Sequence, residues 1–196
     1  MKRISFAWAL VALFVFGTVS SSAATWKADK VHSQIAFEVS HLVISSTDGK
    51  FNDYDVTVIA NKEDFSDAKI EVNIKTASVD TDNEKRDGHL RSDDFFAAEQ
   101  HPDMKFVGKS MKSNGKNKYK LTGDLTIRGI TKEVVLDVEY KGTTTAWGTT
   151  KAGFEITGEI NRFDFGLKFD KTLETGGLVV GETVEIEIDL ELDKQA

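Results

Sequence analysis

The sequence predicts an all-β antiparallel domain whose strands close on themselves and which carries one short helical insertion. Three observations predict it. Apolar residues alternate with polar ones along most of the chain, turn dipeptides separate the alternating runs, and one charged stretch, Thr81–His101, interrupts the alternation. Successive side chains of a strand point to opposite faces, so each alternating run has one dry face and one wet face.

A leader precedes the first strand. Lys2 and Arg3 are followed by an apolar run from Ile4 to Val19 and by small residues from Ser20 to Ala24. This is the charged, apolar, small-residue order of a secretory signal. The run is shorter than the ~20 apolar residues of a spanning helix. Ser22-Ala23-Ala24 fits the small-x-small cleavage rule, so the expected division is a leader over 1–24 and a single domain over 25–196. The absence of Cys excludes a lipid anchor on the new N-terminus, disulfides, thiol catalysis and thiolate metal sites.

The strands then follow in order. Val31, Ser33, Ile35, Phe37 and Val39 share one parity, and Ile70, Val72 and Ile74 alternate with charged or amide residues. Tyr119, Leu121, Leu125 and Ile127 share a face, as do Val134, Leu136, Val138 and Tyr140, and Phe154, Ile156 and Ile160. Val184, Ile186, Ile188, Leu190 and Leu192 alternate with Glu185, Glu187, Asp189 and Glu191. Asp48-Gly49, Asn114-Gly115 and Arg128-Gly129 read as hairpin turns, Thr175-Gly176-Gly177 as a bend, and Thr143–Thr150 as a loop around Trp147. About eight strands with short connections imply antiparallel pairing. In the charged stretch, Ser92 is the expected helix cap, Asp93 and Asp94 favour the first turn, and Pro102 limits the far end. Strands with one apolar face close into a barrel or stack into a sandwich, and about eight of them enclose either side chains or one ligand. The aromatic set Phe37, Phe51, Phe95, Phe96, Phe106, Phe154 and Phe165 is compatible with both a filled core and a lined cavity.

Charge and motifs narrow the function. Removing the leader takes Lys2 and Arg3 with it and moves the net charge from −7 to −9, which argues against nucleic acid and against polybasic docking on lipid. His32, His41, His89 and His101 form no zinc-ligand pair, although Asp87 and His89 are two apart. There is no G-x-S-x-G elbow and no phosphate loop, and His32 and Ser33 point to opposite faces of a strand, a poor geometry for proton transfer. No catalytic residue, metal or cofactor is therefore expected. The densest polar cluster is Arg86-Asp87-Gly88-His89-Leu90-Arg91. It reads either as an anion contact at a barrel mouth or as an internal clamp of Arg on Asp80, Asp82 or Asp87.

Several ordered blocks carry a family resemblance. They are Trp26-Lys27-Ala28-Asp29, His32-Ser33, His41-Leu42, Gly49-Lys50-Phe51, Ser78 through Arg86-Asp87-Gly88-His89-Leu90 to Asp94-Phe95-Phe96, His101-Pro102, Phe106, Gly123–Lys132, Arg162-Phe163-Asp164-Phe165-Gly166 and Val179–Val184. In this order they resemble the YceI-like family of exported polyisoprenoid- and amphiphile-binding proteins. Lys30 departs from the Pro found there in many members. The resemblance implies a lipocalin-like, eight-stranded antiparallel barrel with a helical segment beside its opening, and a tunnel for a long-chain isoprenoid or another amphiphilic lipid. It makes Phe37, Val39, Phe51, Phe95, Phe106, Leu125, Phe154 and Phe165 the expected tunnel lining. Arg86, Asp87, His89 and Arg91 become the expected polar mouth. It also implies a soluble periplasmic binding or carrier protein, and an acidic barrel with an exposed apolar mouth is compatible with transient membrane contact and with a homodimer joined mouth to mouth. The rival readings are a solid-barrel stress or scaffold protein, and an enzyme using His89 or Asp87 on a lipid head group.

Overall fold

The computed structural model describes residues 23–195. The expected leader lies outside them except for Ala23 and Ala24, and Ala24 opens the first strand opposite Ala60. The strands are β1 (Ala24–Ala28), β2 (Gln34–His41), β3 (Ser45–Phe51), β4 (Tyr54–Ala60), β5 (Lys69–Lys75), β6 (Val79–Asp80), β7 (Asp103–Ser113), β8 (Lys118–Ile127), β9 (Ile130–Ala146), β10 (Thr149–Asn161) and β11 (Val180–Lys194). The helix α1 spans Glu84–Arg91, between β6 and β7.

Eight strands form a closed antiparallel ring in the order β1-β4-β5-β7-β8-β9-β10-β11, because β1 pairs with both β4 and β11. The barrel, and not the sandwich, is therefore the solution. β11 explains the three extra strands. Its end pairs with β1 (Ala28 opposite Leu192) and its earlier part with β2 (Ile35 opposite Ile188), so β1 and β2 follow one strand line broken at 29–33. β3 extends from β2, and β6 adds two residues to its edge. Alternation survives in the packing. Ile35, Val56, Val58, Ile74, Met104, Phe106, Leu121, Leu136, Val138, Phe154, Ile156 and Leu192 are buried on the inner face, and Trp26 belongs to the same apolar cluster.

Arg128-Gly129 is a two-residue hairpin with φ of 51° and 73°, the left-handed pair that suits the twist of the strands it joins. Asn114 and Gly115 lie in the β7–β8 connection, where the Asn114 N–H donates to the Lys118 carbonyl at 2.7 Å. Asp48-Gly49 is no turn. Both residues lie inside β3, and Gly49 is there because Phe37 crosses it: a Cβ at Gly49 would stand 2.3 Å from Phe37 Cζ. The true β2–β3 turn is Leu42-Val43-Ile44, with left-handed φ of 54° at Leu42 and 66° at Val43. Thr143–Thr150 is likewise not a loop, because β9 and β10 run on to a tight Trp147-Gly148 turn. Val31 is exposed in the break between β1 and β2, not part of the inner face.

The helix is also shifted from its expected place. Asn83 is the N-cap, its side-chain oxygen accepting the Arg86 N–H at 3.0 Å, and Ser92 is the C-cap. Glu84 and Asp87 stand in the first turn, and His89 and Arg91 in the last. That charge order complements the helix dipole. It outweighs the Ser-Asp-Asp signal, whose residues instead begin a run of turns over 92–101 that includes Ala97 at φ 48°.

Candidate functional site: an apolar cavity and its rim

The inner faces do not meet at the barrel axis. They leave a cavity of about 210 Å³. Every residue on its wall is apolar except Arg162. Phe37, Val39, Phe51, Phe95, Phe106, Leu125 and Phe154 line it, as do alternate residues of β11 from Val184 to Leu192. Phe165 is absent from that wall. It is fully buried in a short 3-10 turn after β10, packed in the hydrophobic core. Glycines give the wall room for its large side chains. A Cβ on Gly123 would stand 2.3 Å from Phe106 Cζ, and one on Gly158 2.5 Å from Leu136 Cδ2.

One end of the barrel is shut. Phe65, in the β4–β5 connection, turns inward with its ring 5.1 Å from Trp26, 5.0 Å from Phe154 and 5.6 Å from Tyr140. The other end carries α1, residues 92–101 and the segment between β10 and β11. A second space of about 200 Å³ lies there, lined by Ser40, His41, Thr47, Thr81, Arg86, His89, Phe169 and Val179. It shares Phe37, Val39, Leu90, Phe95 and Val180 with the inner cavity, so the two adjoin across these side chains. The His89 ring meets Phe95 and Phe169 edge-on at 5.0 and 5.2 Å, and its Nε2 lies 2.8 Å from Asp94 Oδ2.

Arginines bind backbone carbonyls around this rim. Arg91 donates to the Ala77 and Val79 carbonyls at 2.9 and 3.1 Å, and Arg128 to those of Asp93 and Phe95. Arg86 donates through Nε to Thr81 Oγ1 at 2.8 Å and through Nη2 to the Thr81 carbonyl at 2.6 Å. Asp87 is buried and accepts the Thr81 N–H and hydroxyl at 2.9 and 2.5 Å. Of the four expected mouth residues, Arg86 and His89 line the outer space, whereas Asp87 braces the start of the insertion at Thr81 and Arg91 ties the helix to the Ala77 and Val79 carbonyls. The expected Arg–carboxylate clamp is replaced by carbonyls and a hydroxyl.

Arg162 has the most buried of these guanidinium groups, at 2% exposure. It donates to the carbonyls of Gly181 at 2.7 Å, Leu167 at 3.0 Å and Val180 at 3.0 Å, and stacks on Phe163 at 4.1 Å. Burial pushes its pKa below the ordinary value. A buried charge needs such a shell of acceptors to be tolerable. Phe65 and Arg162 were not among the expected site residues. The signal for Phe65 was a lone aromatic in the polar stretch Asn61–Asp67.

A charged cluster lies outside, near the shut end. Lys151 Nζ is 2.9 Å from Asp29, 2.8 Å from Glu191 and 2.7 Å from Asp193, and His32 Nδ1 is 2.9 Å from Asp29. Hydrogen bonds from His32 and Lys151 hold the Asp29 carboxyl well below the usual range, while Asp193, Glu191 and Asp29 raise Lys151. Asp29, His32 and Glu191 converge closely enough to ligate a cation. The Lys151 ammonium already supplies positive charge there.

A closed eight-stranded barrel with an apolar hollow and a helix-covered rim is the lipocalin-like class of fold. Residues 26–192 match the model of the YceI-like domain, and the chain belongs to that family. It is 40% identical over 165 residues to a UPF0312 protein of Staphylococcus epidermidis, an alignment covering 83% of this chain and 94% of that one. The Campylobacter jejuni YCEI protein superposes with a TM-score of 0.69 at 36% identity, over 86% of this chain and 96% of the other. A polyisoprenoid binding domain from Saccharophagus degradans shares the fold at 13% identity, with a TM-score of 0.66 over 87% of this chain and 98% of that one.

Proposed function

We propose that this protein binds a long-chain isoprenoid or similar amphiphilic lipid, tail in the inner cavity and head group in the outer space, and carries it through the periplasm. The observation that carries the reading is the chemistry of the wall. Among the described residues it offers a ligand only apolar surface, with the donors of Arg162 engaged by carbonyls. Each buried CH₂ is worth about 0.8 kcal/mol, and a bilayer offers the same gain. A carrier competes with the bilayer only if its own interior is as dry. The polyisoprenoid binding named for the S. degradans domain supports the same class of ligand.

Volume adds a requirement. A 210 Å³ cavity is of the order of an engineered ~150 Å³ void that takes benzene. A long chain therefore occupies both spaces, and Leu90 and Phe95 move aside between them. Arg86, His41 and His89 line the outer space and would surround the head group. The Leu42-Val43-Ile44 turn stands on the same rim, joined to it by the Leu42 N–H on the Val179 carbonyl at 2.9 Å. Its Val43 and Ile44 side chains, 68% and 86% exposed, would make the transient membrane contact needed for loading.

The test is extraction of the mature protein, purified from its own envelope fraction, with organic solvent and identification of the extract by mass spectrometry. A stoichiometric prenyl lipid or fatty amphiphile is the expected result. Bare protein by native mass spectrometry, with an empty extract, would favour the stress or scaffold reading instead.

A further inference from the structure

We infer that Phe65 is a ruler: it forms the floor of the cavity and sets the longest apolar chain that the barrel buries. The inference rests on the lipid-binding reading and assigns a selectivity to that site. Three observations carry it. First, the side chain that shuts the barrel comes from a connection, not from a strand. Barrel walls take their inward side chains from alternate strand positions, whereas Phe65 lies between β4 and β5, and it is 2% exposed.

Second, the backbone at Phe65 is in the left-handed region, at φ 58°. Bulky residues rarely adopt it, and glycine does so freely. A connection that needed only to turn would relax with glycine here. A large aromatic held in an unfavourable conformation points to a role for its side chain. The connection is braced to hold it. The Asn61 and Lys62 N–H groups donate to the Asp67 carboxylate at 3.2 and 3.1 Å, the Phe65 N–H donates to the Lys62 carbonyl at 3.2 Å, and the Ala68 N–H to the Phe65 carbonyl at 3.0 Å.

Third, Phe65 stands opposite the rim. Its partner Phe154 pairs with Leu190, ten residues along β11 from Val180 at the outer space. Ten residues of strand span roughly 30 Å along the strand, and roughly 20–25 Å along the axis of a barrel whose strands tilt by ~40°. A chain entering past Leu90 and Phe95 therefore runs down the barrel and ends against the ring of Phe65, which lines the inner cavity. Carbons beyond that point stay outside. Against a bilayer, which buries the whole chain, each methylene left in water lowers retention about fourfold.

The experiment measures retention of farnesol, geranylgeraniol and solanesol, isoprenols of three, four and nine units, by the mature protein in competition with phosphatidylcholine vesicles. The wild type is expected to lose solanesol by at least tenfold relative to its best isoprenol. Phe65→Ala is expected to move the cut-off to a longer isoprenol and raise the retention of solanesol, and Phe65→Trp to move the cut-off towards farnesol. Both variants are checked by circular dichroism, and Phe65→Leu serves where Phe65→Ala does not fold. A length profile in the folded variants identical to that of the wild type would overturn the ruler and leave lipid binding standing. Retention of none of the isoprenols by the wild type would sink both.

Discussion

At the scale of single residues, charge outside the barrel and shape inside it act in different ways. His32 and Lys151 both lower Asp29, so the stabilisation carried by that carboxylate is present above its unfolded pKa and is lost only in strong acid. His32 has the opposite sign. Its pKa is raised, first by its hydrogen bond to Asp29, so its contribution is full below the ordinary histidine value and fades as pH rises through the folded one. The melting-temperature difference between wild type and His32→Gln should therefore be greatest near about pH 5 and shrink towards about pH 9. A difference that grew with pH would show that the imidazole contributes through its neutral form. Inside, glycine acts through clearance more than through turns. Gly49 looked like a turn because Asp-Gly is a turn signal, yet it is a clearance for the Phe37 ring on the neighbouring strand. A cross-strand clearance depends on register, which a linear pattern does not contain. Seven of the eight expected lining residues stand on the cavity wall: six are on strands, where alternation decides which side faces inward, and Phe95 is in the turns after α1. Phe165 does not follow that rule because it belongs to a 3-10 turn.

At the scale of elements, the strands were legible and the rim was not. A period of two extends over whole strands such as β8, β9 and β11, so many residues vote for one face. The insertion contains a single two-turn helix, whose N-cap is Asn83, nine residues before the Ser92 expected to cap it. The hydrogen bonds that choose between them join α1 to β6 and to the turns after it, through Asp87, Arg86 and Arg91. The Leu42-Val43-Ile44 turn shows the same dependence on context. Two-residue and three-residue hairpin turns favour Asn and Gly at left-handed positions, whereas here Leu42 and Val43 occupy them. Val43→Gly should remove the strain of a β-branched residue at positive φ and stabilise the fold by about 1 kcal/mol. If the turn is the membrane contact proposed above, the same change should slow lipid transfer to vesicles several-fold. A variant that is more stable and transfers lipid at the wild-type rate would leave the turn without that role.

At the scale of the whole molecule, a hollow barrel is an unusual energetic object, because its core lacks the side chains that would fill it. Protein interiors are close-packed, and atoms lining a void lose contacts on one side. A bound chain restores those contacts, so occupancy and stability are linked. A ligand that binds only the folded state stabilises it by about 2.7 kcal/mol at a hundred times its dissociation constant. For a domain of this size each kcal/mol shifts the melting temperature by about 2–4 °C. Solvent-extracted, refolded protein should therefore melt about 5–10 °C below protein purified with its ligand, and the lost stability should be regained when geranylgeraniol is added. The solid-barrel alternative makes the contrary prediction. A filled interior has no contacts to regain, so extraction would leave the melting temperature unchanged, and added isoprenol would not raise it. The acidic exterior sharpens the contrast. With a net charge of −7 over the full sequence, adventitious anionic detergent should bind weakly outside, which makes a rise on adding a neutral isoprenol a report on the interior.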